Sequence, residues 1–189
     1  MTNNEKIELL NTLRRDMARS QKKGLHFILA AVMIWAFVLI IHACPISITL
    51  KNNLTICCSA PIFMFAVGFS KLIKVDFYDK SNPLYKPGIL FAMNQMLYIP
   101  ISIWAYCACP EKMLMIYAIV TGAHLLPYAW LYVSSAYSLF SVLIAAAALV
   151  VGWIFPSWAL AAAMLLLFVI FCAVLYAEVR KAEKQFASC

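Results

Sequence analysis

Two stripes of polar and aromatic side chains carry most of the chemistry open to this chain. Asn94, Gln95, Tyr98, Ser102 and Tyr106 form one, and Tyr117, Thr121, His124, Tyr128 and Tyr132 form the other. Steps of three and four residues place each set roughly on one helix face. At 1.5 Å rise per residue, His124 falls ~13 Å from the inner end of its helix, and Gln95 and Tyr98 fall ~10–15 Å from the inner end of theirs. Two antiparallel neighbours would therefore bring these groups to a similar depth. The residue types suit recognition: rings stack a ligand, while amides and imidazole orient it. Asn94, Gln95, Tyr98, His124 and Tyr128 are the candidate ligand-binding residues. Pro127 and Pro100 lack an amide hydrogen, so the carbonyls of Ala123 and Met96 lose their helical donors. Gly122 allows close approach of another helix or of a ligand. The competing reading is a buried hydrogen-bond cluster that joins the two helices.

Catalysis has less to work with. No Asp, Glu, Lys or Arg lies deep in any apolar stretch. Ion-coupled transporters and intramembrane proteases usually keep an ionisable group there. Paired-carboxylate chemistry has no residues to use, and there is no HExxH helix, nucleophile elbow or phosphate-binding glycine loop. His124 beside Tyr128 could serve as a general base, but no carboxylate stands at a depth to orient it. No catalytic residue, metal ligand or cofactor is assigned. His26 and His42 sit near span ends and read as interfacial.

The elements that must position these stripes are apolar helices. The 189 residues are 65% hydrophobic and 12% charged, with mean hydropathy +0.87. Soluble domains are about 45–50% apolar, so lipid must cover the excess. A bilayer core needs ~20 apolar residues per helix, and the candidate spans are 25–43, 54–73, 88–108, 112–133, 137–155 and 157–177. The expected fold is all-α: an integral membrane bundle of six transmembrane helices (25–177), preceded by a cytoplasmic amphipathic segment (1–24) and followed by a cytoplasmic tail (178–189). Residues 74–87, with two prolines and several charges, form a structured loop. The first span is longer than a signal-peptide core, so a signal-anchor is expected rather than a cleaved leader. Ile41-His42-Ala43-Cys44 fits a lipoprotein cleavage site poorly.

The net charge is +7. Of the 15 Lys and Arg, 13 lie in the N-terminal segment, in 71–87 or in the tail, and only Lys51 and Lys112 lie on the other side. The positive-inside rule then puts both termini in the cytoplasm, as an even number of spans requires. With cations flanking spans and no separate basic domain, the partner is an anionic lipid surface rather than nucleic acid. Ile7, Leu10, Leu13 and Met17 recur at helical spacing among basic residues. That pattern fits a helix on the membrane surface or one packed on the protein's own inner loops.

Cys44, Cys57, Cys58, Cys107 and Cys109 gather at the outer ends of the first three spans, and Cys172 and Cys189 lie toward the inside. The outer thiols are open to three readings: simple packing, a disulfide, or, with Met113, Met115 and His42, capture of a soft metal such as Cu(I). The alanine runs 145–148 and 161–163 let helices approach closely and mark a scaffold or an oligomer face.

Several stretches carry a family resemblance: Lys74-Val75-Asp76, Asn82-Pro83-Leu84, Met93 to Tyr98, Pro110 to Met113, Gly122 to Tyr128 and Trp130-Leu131-Tyr132. Through them, residues 70–135 resemble an uncharacterised family of bacterial polytopic inner-membrane proteins. The resemblance implies a bacterial inner-membrane location and supplies no activity. The residues themselves point to a transporter or binding protein for a small neutral or aromatic molecule. The alternative is a non-catalytic sensor, accessory or structural subunit that works through protein contacts, a homo-oligomer included. A membrane enzyme is the third and weakest reading.

Overall fold

The computed structural model describes residues 2–187, and those residues hold ten α-helices, two short 3-10 turns and no strand. The helices are α1 (Asn3–Ser20), α2 (Leu25–Ala43), α3 (Ile48–Ser59), α4 (Ile62–Leu72), α5 (Tyr85–Leu97), α6 (Ile99–Ala108), α7 (Met113–Ala123), α8 (Leu126–Leu131), α9 (Ser135–Ile154) and α10 (Ser157–Ala187). Five stretches are long and apolar enough to cross a membrane: Lys22–Ala43, Tyr85–Ala108, Pro110–Leu131, Ser135–Ile154 and Ser157–Lys184. The pair α3 and α4, bent by 44°, makes a sixth when taken as one span.

Three boundaries differ from the sequence reading. The second span does not begin at 54, because Ser47 accepts from the Leu50 amide and starts the helix at Ile48. Pro61, a helix breaker in mid-span, then splits it. Spans three and four are each interrupted beside their prolines, at Tyr98 and at His124–Leu125. Helix α10 continues through the expected tail to Ala187. Cys189 lies outside the described residues.

Hydrogen bonds between helix ends define two poles. At one, Lys22 Nζ donates to Ile73 O (2.9 Å), Arg14 Nε to Trp130 O (2.7 Å) and Lys23 Nζ to Val133 O (3.3 Å). At the other, Lys51 Nζ donates to His42 O (2.9 Å), Asn52 Nδ2 to Pro110 O (2.9 Å) and Lys112 Nζ to Gly152 O (2.9 Å). The chain alternates between these poles. Most of the acceptors are carbonyls at helix C-termini, which have no intrahelical donor and carry the negative end of the helix dipole. Lys51 and Lys112, the two exceptions to the charge asymmetry, are thus C-terminal caps of α2 and α9.

Glu178 works at the opposite kind of end. Its carboxylate accepts from Lys23 Nζ (2.7 Å), Ser134 Oγ (2.7 Å), Ser135 Oγ (3.0 Å) and the Ala136 amide (3.0 Å). It therefore sits on the N-terminus of α9, where amides lack acceptors and a negative charge is favoured. One carboxylate ties α10 to α9 and to the α1–α2 turn.

The core lies between α2, α7, α9 and α10. Trp35 stacks on Phe168 (centroids 6.2 Å apart), and Ile144, Leu160, Met164 and Phe171 are buried around them. Gly122 serves a helix contact, because a Cβ there would stand 2.8 Å from the Ala145 amide nitrogen of α9. By contrast, α5 has no buried residue, and α6 buries only Ser102 and Ala105. The first helix divides in two. Met17 and Ala18 are buried, and Leu13 O accepts from Asn82 Nδ2 (2.8 Å), whereas Ile7 and Leu10 are exposed. The C-terminal half of α1 therefore packs on the protein's own elements.

Gly24 meets two demands at once. Its φ is +70°, and an added Cβ would lie 2.9 Å from the Tyr132 ring and 3.0 Å from the Tyr137 hydroxyl. Gly24→Ala should destabilise the protein by about 1–3 kcal/mol through the left-handed backbone and the clash together. Glu178→Ala should cost about 2–4 kcal/mol, since it strands the Lys23 ammonium and uncaps α9. Equilibrium unfolding in mixed micelles measures both. A Lys23→Met background should shrink the Glu178→Ala loss.

Candidate functional site

Helices of all three proline-broken pairs meet at a cavity. In the α7–α8 break, the Leu125 amide bonds Gly122 O and the Tyr128 amide bonds Leu125 O, each at 3.1 Å. These three-residue steps replace the helical ladder that Pro127 interrupts. His124 stands in that break and places Nδ1 2.7 Å from Thr121 O. A carbonyl oxygen only accepts, so Nδ1 carries a proton, and in the neutral ring Nε2 is then the acceptor. The Thr121 hydroxyl donates to Tyr117 O at 2.8 Å, so its proton is committed within the helix.

His124, Tyr128, Thr121 and Tyr117 form one wall of a cavity of about 70 Å³. Gln95 and Ala92 of α5 face them, Phe27, Ile34 and Trp35 come from α2, and Phe63 comes from α4. Tyr128 meets His124 edge-on (6.2 Å) and Phe91 edge-on (6.0 Å), and stacks on Tyr132 (5.8 Å). Tyr137 extends the aromatic cluster and donates its hydroxyl to Lys23 O at 2.9 Å. The site is thus braced on the turn that Glu178 holds.

A second cleft, of about 170 Å³, adjoins the first and shares Phe27, Phe63, Ala92, Tyr128 and Tyr132 with it. It continues to Met17 and Gln21 at the pole that holds the chain's N-terminal helix. No charged side chain lines either space among the described residues. The pair offers aromatic faces, two amides, two imidazoles and several phenols, a set suited to holding a neutral ligand by stacking and hydrogen bonds.

Of the five candidate residues, the structure brings Gln95, His124 and Tyr128 to the cavity. Asn94 and Tyr98 do not line it; Asn94 Nδ2 donates to the Tyr98 hydroxyl at 3.0 Å on the flank of α5. Sequence reasoning missed the wall that α2, α4 and α9 supply. Phe27, Trp35, Phe63 and Tyr137 lie in apolar runs where nothing separates a cavity-lining ring from a core ring. His26 and His42 are not interfacial side chains, since each is 1% exposed. His42 Nε2 lies 3.1 Å from Thr55 Oγ1 at the far pole. The six cysteines within the described residues are free thiols. No three His, Cys, Asp or Glu side chains gather as metal ligands among the described residues, so Cys107, Cys109 and His42 are not assembled into a soft-metal set.

No curated protein and no solved structure matches the chain. Residues 10–178 do match a family of unknown function (DUF7010). The matched stretch runs from α1 to the carboxylate that clasps α9, contains every residue lining both spaces, and shows that the chain belongs to that family.

Proposed function

We propose that this chain is a multi-pass membrane protein that binds, and passes across the bilayer, a small neutral or aromatic molecule held between α5 and the α7–α8 break. The carrying observation is the paired cavity. It has a fixed wall on α2, α7 and α8 and a loosely packed wall on α5, and it reaches the pole where the chain enters the bundle. A wall that buries none of its own residues can shift without dismantling the core, which is what admission and release of a ligand need. The absence of charge in the lining favours facilitated movement of a neutral molecule over ion coupling.

The membrane setting is supported by the five or six apolar helices and by the pole-to-pole alternation of the chain. The cation-rich pole is read as cytoplasmic, with both termini there. Capping duty for Lys51 and Lys112 removes the two exceptions to that assignment. Residence in a bacterial inner membrane rests on the resemblance of residues 70–135. The second reading, an accessory or structural subunit or a homo-oligomer, has one observation in its favour: α5 and α6 expose Leu90, Met93, Leu97 and Trp104. Co-purification of a stoichiometric partner would support it.

Two experiments bear on the primary reading. Binding of a panel of small neutral aromatics to the protein in lipid nanodiscs should raise its unfolding temperature as ligand concentration exceeds Kd. His124→Ala and Gln95→Ala should each weaken that binding about tenfold or more, with Asn94→Ala within about twofold of the parent. Equal binding by all three variants removes the site. Separately, with the other six cysteines replaced by Ser, a membrane-impermeant maleimide applied to intact cells should label exposed Cys44, at the pole opposite the termini, with labelling lost in Cys44→Ser. Labelling of Cys44 only after lysis reverses the orientation.

A further inference from the structure

His26 lines the 170 Å³ cleft, is 1% exposed, and has no hydrogen-bond partner at its buried Nδ1. A polar ring atom left unpaired inside a protein costs free energy that a bound donor or acceptor restores. The rings beside it pack as a cluster that walls the cleft. Phe77 meets His26 edge-on at 5.5 Å, and Phe27 lies 5.6 Å from both Phe77 and Phe63. Gln21 also lines the cleft; its amide nitrogen is committed to Asp76 O at 3.0 Å, so its carbonyl oxygen remains to accept. The volume matches one ring, since an apolar cavity of about 150 Å³ already takes a benzene.

We propose that this cleft is an inner subsite for a single neutral aromatic ring bearing a hydroxyl, with the ring packed against Phe27, Phe63 and Phe77 and the hydroxyl on His26. A hydroxyl both gives and takes a hydrogen bond, so it satisfies Nδ1 in either tautomer of the imidazole. A charged ring is disfavoured, because no side chain of the lining would pair with it. The inference rests on the proposed function and adds to it a ligand class and a residue that the polar stripes do not include. The five residues shared by the two spaces place this subsite on the way from the cation-rich pole to His124.

Phenol and toluene are the discriminating probes. Their apparent Kd values come from the concentration dependence of the unfolding temperature in lipid nanodiscs, with empty nanodiscs correcting for partition into lipid. The parent protein should prefer phenol by about tenfold, as one recovered hydrogen bond implies. His26→Leu should retain toluene and bring the ratio to about one. An unchanged ratio in His26→Leu overturns the proposal, and a loss of binding in His124→Ala at the same time leaves the proposed function standing. A parent protein that binds neither probe overturns the subsite, and binding of another member of the panel then leaves the proposed function standing. Should His26→Leu not fold, crystals of the parent soaked with 4-bromophenol give a second reading. A bromine anomalous peak in the cleft beside Phe27 and Phe77 supports the subsite, and a peak only elsewhere overturns it.

Discussion

An apolar bundle leaves every helix end with amides or carbonyls that neither lipid nor hydrophobic neighbours can satisfy. The whole arrangement depends on how those ends are closed. Glu178 carries the largest share: it neutralises the N-terminus of α9 with three donors from residues 134–136 and takes Lys23 as the fourth. Lys23 in turn offers its own carbonyl to Tyr137 and its ammonium to Val133 O. Three chain segments far apart in sequence are thereby fixed around one carboxylate. The left-handed Lys22–Lys23–Gly24 turn, with φ of +43°, +53° and +70°, is the backbone shape that lets the same short segment face all of them.

That clasp explains why the cavity has one firm side. Tyr128, Tyr132 and Tyr137 pack as a cluster against Gly24, and through it against the clasped turn, so the His124 wall is held from the cation-rich pole. From the other side, Gly122 brings α7 so close to Ile144 and Ala145 that α7 and α9 pack backbone to side chain. Nothing comparable holds α5, which meets the bundle mainly through the cavity it encloses. Firm and loose walls facing each other across polar groups are the physical content of the functional reading.

Much of this was legible in the residues. The apolar runs and cation asymmetry indicated helices alternating between two ends, and the prolines at 100 and 127 marked carbonyls without helical donors. The three- and four-residue steps put Gln95, His124 and Tyr128 in one region. The same steps could not separate Asn94 and Tyr98 from them, because a helix face is about 100° wide and two of its members were close enough to pair with each other. Glu178 read as the first residue of a tail, since helix propensity alone does not say where a carboxylate at a span's end will point. His26 read as interfacial because its place near a span end says nothing about which way the ring turns.

The sequence by itself determined the helical class and the side on which charge collects, because these follow from local hydropathy and from composition. Only the tertiary structure decided which cations cap which carbonyls, which polar residues reach the cavity and which aromatic rings wall it. Those outcomes depend on the rotation and approach of helices distant in the chain, set by contacts such as Gly122 on Ala145 and Glu178 on the end of α9. No periodicity along one segment encodes the angle at which it meets another.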